Sequence, residues 1–280
     1  LADPTPKSDE VLLEVTAIGI NYADTHQTEN SYLSPQTLPF VPGLEVTGTV
    51  DGKRYLAAVS GGYAQKAVAN KQMLFPIPDE VSDNEALCML VQGATAWHIL
   101  KTVGHLKVGE TVVIHAAAGG VGQIAVQWLH ALGVNVIGTV GSAAKGELAR
   151  QLGCQHVINY NQEDVVARVR EITGGQGVPV VYDSVGKSTF EMSLNSLAPR
   201  GTFVSFGNAS GAVPAFEPLL LSQKGSLFFT RPKLGDYVAS RSELEASAQA
   251  LFARMFGGGK AHLALVGSDD PLEAGLEIYA

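Results

Sequence analysis

Residues 111–122 of this chain read TVVIHAAAGGVG. A short β-branched run passes directly into a glycine-rich turn. Val121, Ile124, Ala125, Trp128, Leu129 and Leu132 then recur at helical spacing and give one apolar face. Gly119, Gly120 and Gly122 carry no Cβ, so main chain there can approach a ligand closely. The start of a helix offers unpaired N–H groups and a partial positive charge, which suit a phosphate. Strand, turn and helix in that order predict a dinucleotide pyrophosphate site. Ala117 stands where the first glycine of G-x-G-x-x-G belongs. No Gly-Lys-Ser/Thr follows, which excludes a P-loop.

The surrounding stretch supports a buried α/β layer. Residues 111–144 contain no Asp, Glu, Lys or Arg. That length could span a bilayer, but the glycines and Gln123, Gln127, His130 and Asn135 interrupt it, so a soluble core is the better reading. Strands are expected at 111–115, 134–140, 156–158, 179–183, 202–206 and 226–230, and helices at 121–132, 143–152, 163–172 and 188–197. Such alternation predicts a mostly parallel, doubly wound sheet.

The front third has a different character. Residues 11–18 are apolar and β-prone, residues 38–50 hold Pro39, Pro42, Gly43 and Gly48, and Gly61-Gly62 marks a turn. Short strands and loops are expected there, followed by a helix from about 83 towards 101 opened by Ser82 and Glu85 as a capping box. Ser188 with Glu191, and Ser240 with Glu243, suggest two further capped starts, the latter opening a helix of about 241–256.

Composition narrows the partners. The chain has 280 residues, 46% of them hydrophobic, enough for two modest domains. Its net charge of −8 carries no basic run, which argues against nucleic acid or anionic membrane as the main partner. Cys88 and Cys154 are isolated thiols that make neither a disulfide framework nor a thiolate zinc site, and a reducing compartment, the cytoplasm, is expected. Residues 1–10 are polar and do not read as a signal peptide. Ser142 and Ser184 lack a G-x-S-x-G setting, so no hydrolase is indicated. The histidines show no metal-ligand spacing, and His115 reads as a structural strand-end residue.

The second strand of the nucleotide unit should end beside the adenosine ribose. An Asp or Glu there would favour NAD. Residues 139–145 read TVGSAAK and hold no acid. Ser142 can donate a hydrogen bond and Lys145 can offset a 2′-phosphate charge, so NADPH is the expected cofactor.

Residues 19–24 (GINYAD), 42–45 (PGLE), 115–122 (HAAAGGVG), 157–160 (VINY), 181–186 (VYDSVG), 205–211 (SFGNASG) and 223–226 (QKGS) together resemble quinone oxidoreductases, the zinc-free, zeta-crystallin-like branch of the medium-chain dehydrogenase/reductase superfamily. The resemblance implies a GroES-like, mainly-β substrate domain over 1–93, a Rossmann NADPH-binding domain over 94–234, and a return to the first domain over 235–280. It places cofactor between the two domains. Tyr22, Asp24, Thr25 and His26 would line the nicotinamide side. Gly119, Gly120, Val121 and Gly122 would meet the pyrophosphate. Gly141, Ser142, Lys145 and Tyr160 would hold the 2′-phosphate region. Ser184, Phe206, Gly207 and Asn208 would sit along strand ends, and Arg231, Pro232, Lys233 and Leu234 would close over the nicotinamide. Ser184 and Asn208 also follow strands, where ligands bind in such sheets.

Related zinc dehydrogenases carry Cys in the place of Asn21 and His in the place of Leu44; Leu cannot coordinate, so no metal is expected. The resemblance also implies a strand hairpin before residue 1 and a final strand, neither of which the sequence shows, and 51–63 is short for such an enzyme. Without a metal, hydrogen-bond donors must stabilise the charge that develops on the substrate oxygen, and Asn21 and Tyr32, with Tyr22 nearby, are the candidates. The implied activity is NADPH-dependent quinone reduction by hydride or single-electron transfer. Two alternatives stay open: reduction of an enal, enone or enoyl-thioester, and a non-catalytic NADPH-binding role of crystallin type. A homodimer or tetramer is implied as well.

Overall fold

The computed structural model describes residues 3–31, 35–103 and 106–238, with 240, 242, 243, 246 and 247. The chain divides into two compact units, one built on residues up to Ala94 and the other on Thr95 and the residues that follow.

The first unit is an antiparallel sheet. Its strands are β1 (Glu10–Ile18), β2 (Glu45–Val50), β3 (Lys53–Ala58), β4 (Lys66–Asn70) and β5 (Leu74–Pro76). They lie in the order β4-β1-β2-β3-β5. Asp51 and Gly52, with φ of 51° and 76°, join β2 to β3. Both central residues in the left-handed region make the tight hairpin turn that matches strand twist, and this is why so short a segment suffices. Leu13, Val46, Ala57, Ala67 and Ala69 form the core of this sheet.

Helix α1 (Tyr22–Thr28) follows β1 in a region whose sequence shows little helical pattern. The helix expected from 83 to 101 is interrupted. It begins as α2 (Asp83–Leu87), with Ser82 and Glu85 making the expected capping box, then opens into a π turn over Met89–Gly93 before α3 (Ala94–Val103). The widened turn is closed by Gly93 N–H on Cys88 O at 3.0 Å. Val91 N–H instead donates to the carboxylate of Glu45 at 2.8 Å. A contact from β2 thus draws a main-chain donor out of the helical ladder.

The second unit is a parallel sheet of six strands: β6 (Thr111–Ile114), β7 (Asn135–Val140), β8 (His156–Asn159), β9 (Val178–Asp183), β10 (Leu197–Ser205) and β11 (Phe228–Thr230). Their order is β11-β10-β9-β6-β7-β8. Helices α4 (Gly120–Ala131), α5 (Ala143–Gln151), α6 (Val165–Ile172) and α7 (Phe190–Ser196) connect them. This is the doubly wound Rossmann arrangement, with the order reversing between β6 and β9. Val113, Ile137, Val181 and Phe203 are fully buried at its centre, as strands covered on both faces require.

The start of α7 differs from expectation. Thr189, not Ser188, is its N-cap residue, and Ser188 N–H donates to Ser210 Oγ at 2.9 Å. The Asp183 carboxylate accepts from Val185 and Gly186 N–H, tightening the preceding turn and delaying the helix. Two short helices, α8 (Leu219–Gln223) and α9 (Leu234–Tyr237), follow among the described residues. Tyr237, in the segment expected to return to the first domain, accepts at its hydroxyl from Thr102 Oγ1 (2.7 Å), and its ring lies 5.4 Å from that of His98 within the second unit. Ser240 and Glu243 make the expected capping contacts, with Ser240 N–H on Glu243 Oε2 at 3.0 Å and Glu243 N–H on Ser240 Oγ at 3.2 Å. Most of the helix expected over 241–256 and the rest of 235–280 lie outside the described residues.

Candidate dinucleotide and substrate sites

The β6–α4 turn is built by close approach of main chain. His115 closes β6 by donating its N–H to Tyr182 O of β9 at 3.0 Å. Ala116 then takes φ 54°, a left-handed conformation that holds some strain for a residue with a Cβ. A Cβ on Gly122 would lie 2.3 Å from Ala116 O, so only glycine lets α4 pack against the turn. Ala117, in the place of the first glycine, is fully buried, and the space for its methyl is left by Gly138 on β7. Gly119 is the N-cap of α4, with no side chain to satisfy the N–H groups of the first turn. Those of Gly120, Val121 and Gly122 are therefore left for an anion. Gln123, which the motif did not single out, braces the loop by donating from Nε2 to Ala118 O at 3.0 Å.

His115 is 1% exposed, and its Nδ1 lies 2.9 Å from Thr139 Oγ1. Burial lowers its pKa, with an opposing pull from the Asp183 charge. It is a neutral, strand-end histidine, in line with its structural reading.

The end of β7 carries the second group. Ser142 caps α5, its Oγ accepting from Lys145 N–H at 3.3 Å, and its own hydroxyl hydrogen remains available to donate. Tyr160 is 52% exposed, and its ring covers Gly141 so closely that a Cβ there would meet the phenol oxygen at 2.4 Å. Asn161 Nδ2 donates to Gly141 O at 2.8 Å and fixes the same loop. Gly141, Ser142, Lys145 and Tyr160 are thus gathered around one strand end, and Asn161, which no motif singles out, joins them.

Across the switch point, Asp183 is fully buried and also accepts from Ser193 Oγ at 2.7 Å. It shapes the turn that carries Ser184. A Cβ on Gly207 would lie 2.3 Å from Ser184 O, so the β9 and β10 ends meet main chain to main chain, with Phe206 N–H on Asp183 O at 2.8 Å. Asn208 continues that turn, its carbonyl accepting from Gly211 N–H at 2.8 Å. Arg231 folds back over β10, donating to Ser205 Oγ at 3.1 Å and Gly207 O at 3.0 Å. Pro232 follows, then Lys233 as the N-cap and Leu234 as the first residue of α9.

In the first unit, Asn21 is 4% exposed and precedes α1. Its Nδ2 donates to Glu45 Oε1 at 2.8 Å, while its main-chain N–H donates to Asp24 Oδ2 at 2.8 Å. Asp24 also accepts from the Tyr63 hydroxyl at 2.8 Å, so its carboxylate is engaged inside this unit. Burial, partly opposed by those donors, raises its pKa. Thr25 Oγ1 donates to Tyr22 O at 2.7 Å, and the Tyr22 and His26 rings meet edge to face at 5.2 Å. Tyr32 lies outside the described residues. Burial pushes the thiols of Cys88 and Cys154 up to about 11 and about 12, so neither is a thiolate near neutrality.

Two family models match, an alcohol dehydrogenase GroES-like domain over residues 7–59 and a zinc-binding dehydrogenase domain over residues 120–266. The chain is 44% identical over 264 residues to a quinone oxidoreductase of Pseudomonas aeruginosa, covering 90% of this chain and 80% of the relative. It belongs to the quinone oxidoreductases of the medium-chain dehydrogenase/reductase superfamily. A 2-haloacrylate reductase of a Burkholderia species is 39% identical, over 89% of this chain and 80% of its own. A mycobacterial structure in complex with NADPH superimposes with a TM-score of 0.91 at 39% identity, covering all of this chain and 89% of that one. Although one matching model is named for zinc, this family member has Asn21 and Leu44 where the resemblance places zinc ligands in relatives, and no cluster of three His, Cys, Asp or Glu side chains suited to a metal occurs among the described residues. No helix among them is long and apolar enough to cross a membrane.

Proposed function

We propose that this chain is an NADPH-dependent quinone reductase that works without a metal. The observation that carries the reading is the β6–α4 turn, where Gly122 tolerates no Cβ and Gly119, as the N-cap, leaves main-chain donors uncapped at a helix start. The cradle fits a pyrophosphate, and the acid-free β7 end with Ser142 and Lys145 fits a 2′-phosphate. Bound NADPH supplies the reducing equivalents, as hydride or as single electrons. Gly119, Gly120, Val121 and Gly122 hold the pyrophosphate. Gly141, Ser142, Lys145 and Tyr160 hold the adenosine end. Ser184, Phe206, Gly207 and Asn208 flank the cofactor along the strand ends, and Arg231 to Leu234 cover the nicotinamide. Tyr22, Asp24, Thr25 and His26 are the residues that the resemblance assigns to the nicotinamide side, Asp24 by fixing α1. Asn21 donates to the substrate oxygen as charge develops there, and Tyr22 and Tyr32 are the further candidate donors. The domain reading is 1–93 for substrate, 94–234 for NADPH and 235–280 for the return. A cytoplasmic homodimer or tetramer completes the proposal, and sedimentation of the purified protein tests the assembly.

The 2-haloacrylate reductase relative favours a second reading, reduction of an activated alkene. The same hydride and oxygen-stabilising groups would serve it. The test is oxidation of NADPH and NADH with para-benzoquinone, phenanthrenequinone, a simple enone and 2-chloroacrylate. Fast NADPH turnover with quinones supports the first reading, and preference for the alkenes supports the second. Tight NADPH binding with no turnover on any of them overturns both.

A further inference from the structure

Glu45 is a fully buried carboxylate that two separate segments accommodate. Its Oε1 accepts from Asn21 Nδ2 and its Oε2 from Val91 N–H, each at 2.8 Å. Gly19 leaves the room for it. A Cβ there would lie 2.3 Å from both Glu45 Cγ and Oε1. Gly19 N–H also donates to Glu45 O at 3.1 Å, pinning main chain beside the same side chain. The π turn at Met89–Gly93 is the second segment, since Val91 N–H has left the helix for this carboxylate. Burying an ionisable group without a cationic partner is costly, and apolar packing would serve the fold better. A glutamine would not substitute, because it presents only one acceptor to two N–H donors.

We propose that Glu45 is a positioning residue for Asn21, and that its ionised carboxylate holds the carboxamide in the orientation that donates to the substrate oxygen. The inference rests on the reading of Asn21 as that donor. Only the carboxylate accepts at both oxygens. Protonation turns one acceptor into a hydroxyl facing an N–H and loosens the grip on Asn21. The ionisable groups around Glu45 set where this happens. Asp24 on α1, held by Asn21 N–H and the Tyr63 hydroxyl, places a second carboxylate nearby, and Cys88 and Glu85 face the same region from α2 and its end. Burial first, then the Asp24 charge, raise the Glu45 pKa from 4.5 to about 7, against the lowering pull of its two N–H donors. The switch therefore falls at neutrality.

The test compares wild type, Glu45→Gln and Asn21→Ala in NADPH oxidation with para-benzoquinone across the neutral range. Wild-type kcat should rise about tenfold through its midpoint, the worth of one good hydrogen bond. Glu45→Gln should stay flat at the acid-side value with KM for NADPH unchanged. Asn21→Ala should be low and flat, and the double variant no lower. Wild-type pH behaviour in Glu45→Gln overturns the proposal. Full activity in Asn21→Ala removes the reading beneath it, and wild type that reduces no quinone removes the function itself. Infrared titration gives a readout independent of turnover and of the Gln variant's folding. Wild type should show a protonated-carboxyl band disappearing near neutrality, and Asn21→Ala should move that midpoint upward because a donor favouring the charged form is gone. A midpoint that does not move overturns the proposal.

Discussion

Ala117 in the β6–α4 turn and Gly138 on β7 are complementary. A Cβ on Gly138 would lie 2.7 Å from the Ala117 methyl and equally close to Cys154 Sγ. The alanine in the phosphate turn thus depends on a glycine in β7. Gly138→Ala should destabilise the fold by about 1–3 kcal/mol through overpacking and weaken NADPH by pushing the turn outward. Ala117→Gly added to it removes one of the two clashes and should recover part of both losses. Chemical denaturation of the two single variants and the double gives the coupling. Purely additive effects would show that the two positions do not share one space.

Discrimination between cofactors should lie in Lys145. Lys145→Ala removes a charge from the end of β7 and should weaken NADPH by about tenfold or more, the range of a charge-assisted hydrogen bond, while leaving NADH nearly unchanged. Equal losses for both, in fluorescence titrations, would remove the 2′-phosphate assignment. Ser142 needs a control, because its Oγ also caps α5. Ser142→Ala should cost about 1 kcal/mol of stability and Ser142→Gly only a few tenths. Both should lose NADPH affinity alike if the hydroxyl contacts the cofactor.

The parallel sheet was legible because β6 to β9 are local apolar runs each followed by a helix with buried positions of its own. The phosphate turn was legible because its three glycines fall within four residues, between a strand pattern and a helix pattern. What escaped depends on residues far apart in the chain. The helix expected from 83 to 101 breaks because Glu45, 46 residues before Val91, takes a main-chain N–H. Helix α1 is polar and short, and it holds together through Asp24, whose carboxylate is fixed by Tyr63. The start of α7 was misplaced by one residue because the Asp183 carboxylate tightens the turn before it. In each case a buried carboxylate overrides the local pattern, and no periodicity reports it. Ala117 is the reverse case: the motif looked defective in sequence, and its compensation sits on another strand.

Tyr160 and Gly141 give a test of the adenosine end separate from charge. The phenol lies where any side chain on residue 141 would project, and the ring is half in solvent. Gly141→Ala should swing the ring outward at little cost in stability, within about 0.5 kcal/mol for an exposed rearrangement. NADPH and NADH should both weaken, because the displaced ring would affect the adenosine and not the 2′-phosphate alone. A large fall in melting temperature instead would mean that Tyr160 supports the fold more than the cofactor.

Glu45 also makes stability depend on pH in an unusual direction. Its pKa in the folded chain, about 7, lies above the ordinary 4.5. Between these values the native state binds more protons than the unfolded state, so this group makes stability fall as pH rises through that window. The full effect is about 3 kcal/mol. It is absent below the window and complete above it. Asp24, also raised by burial, acts in the same direction. His115 opposes it, since its pKa is lowered and the unfolded histidine takes up a proton first as pH falls below 6.5. The contribution of Glu45 is therefore read from a difference. Between pH 4.5 and the range above 7, wild type should lose about 3 kcal/mol of unfolding free energy relative to Glu45→Gln, because the variant has no carboxyl proton to release. Parallel curves for the two proteins would show that Glu45 does not change protonation on folding in this range.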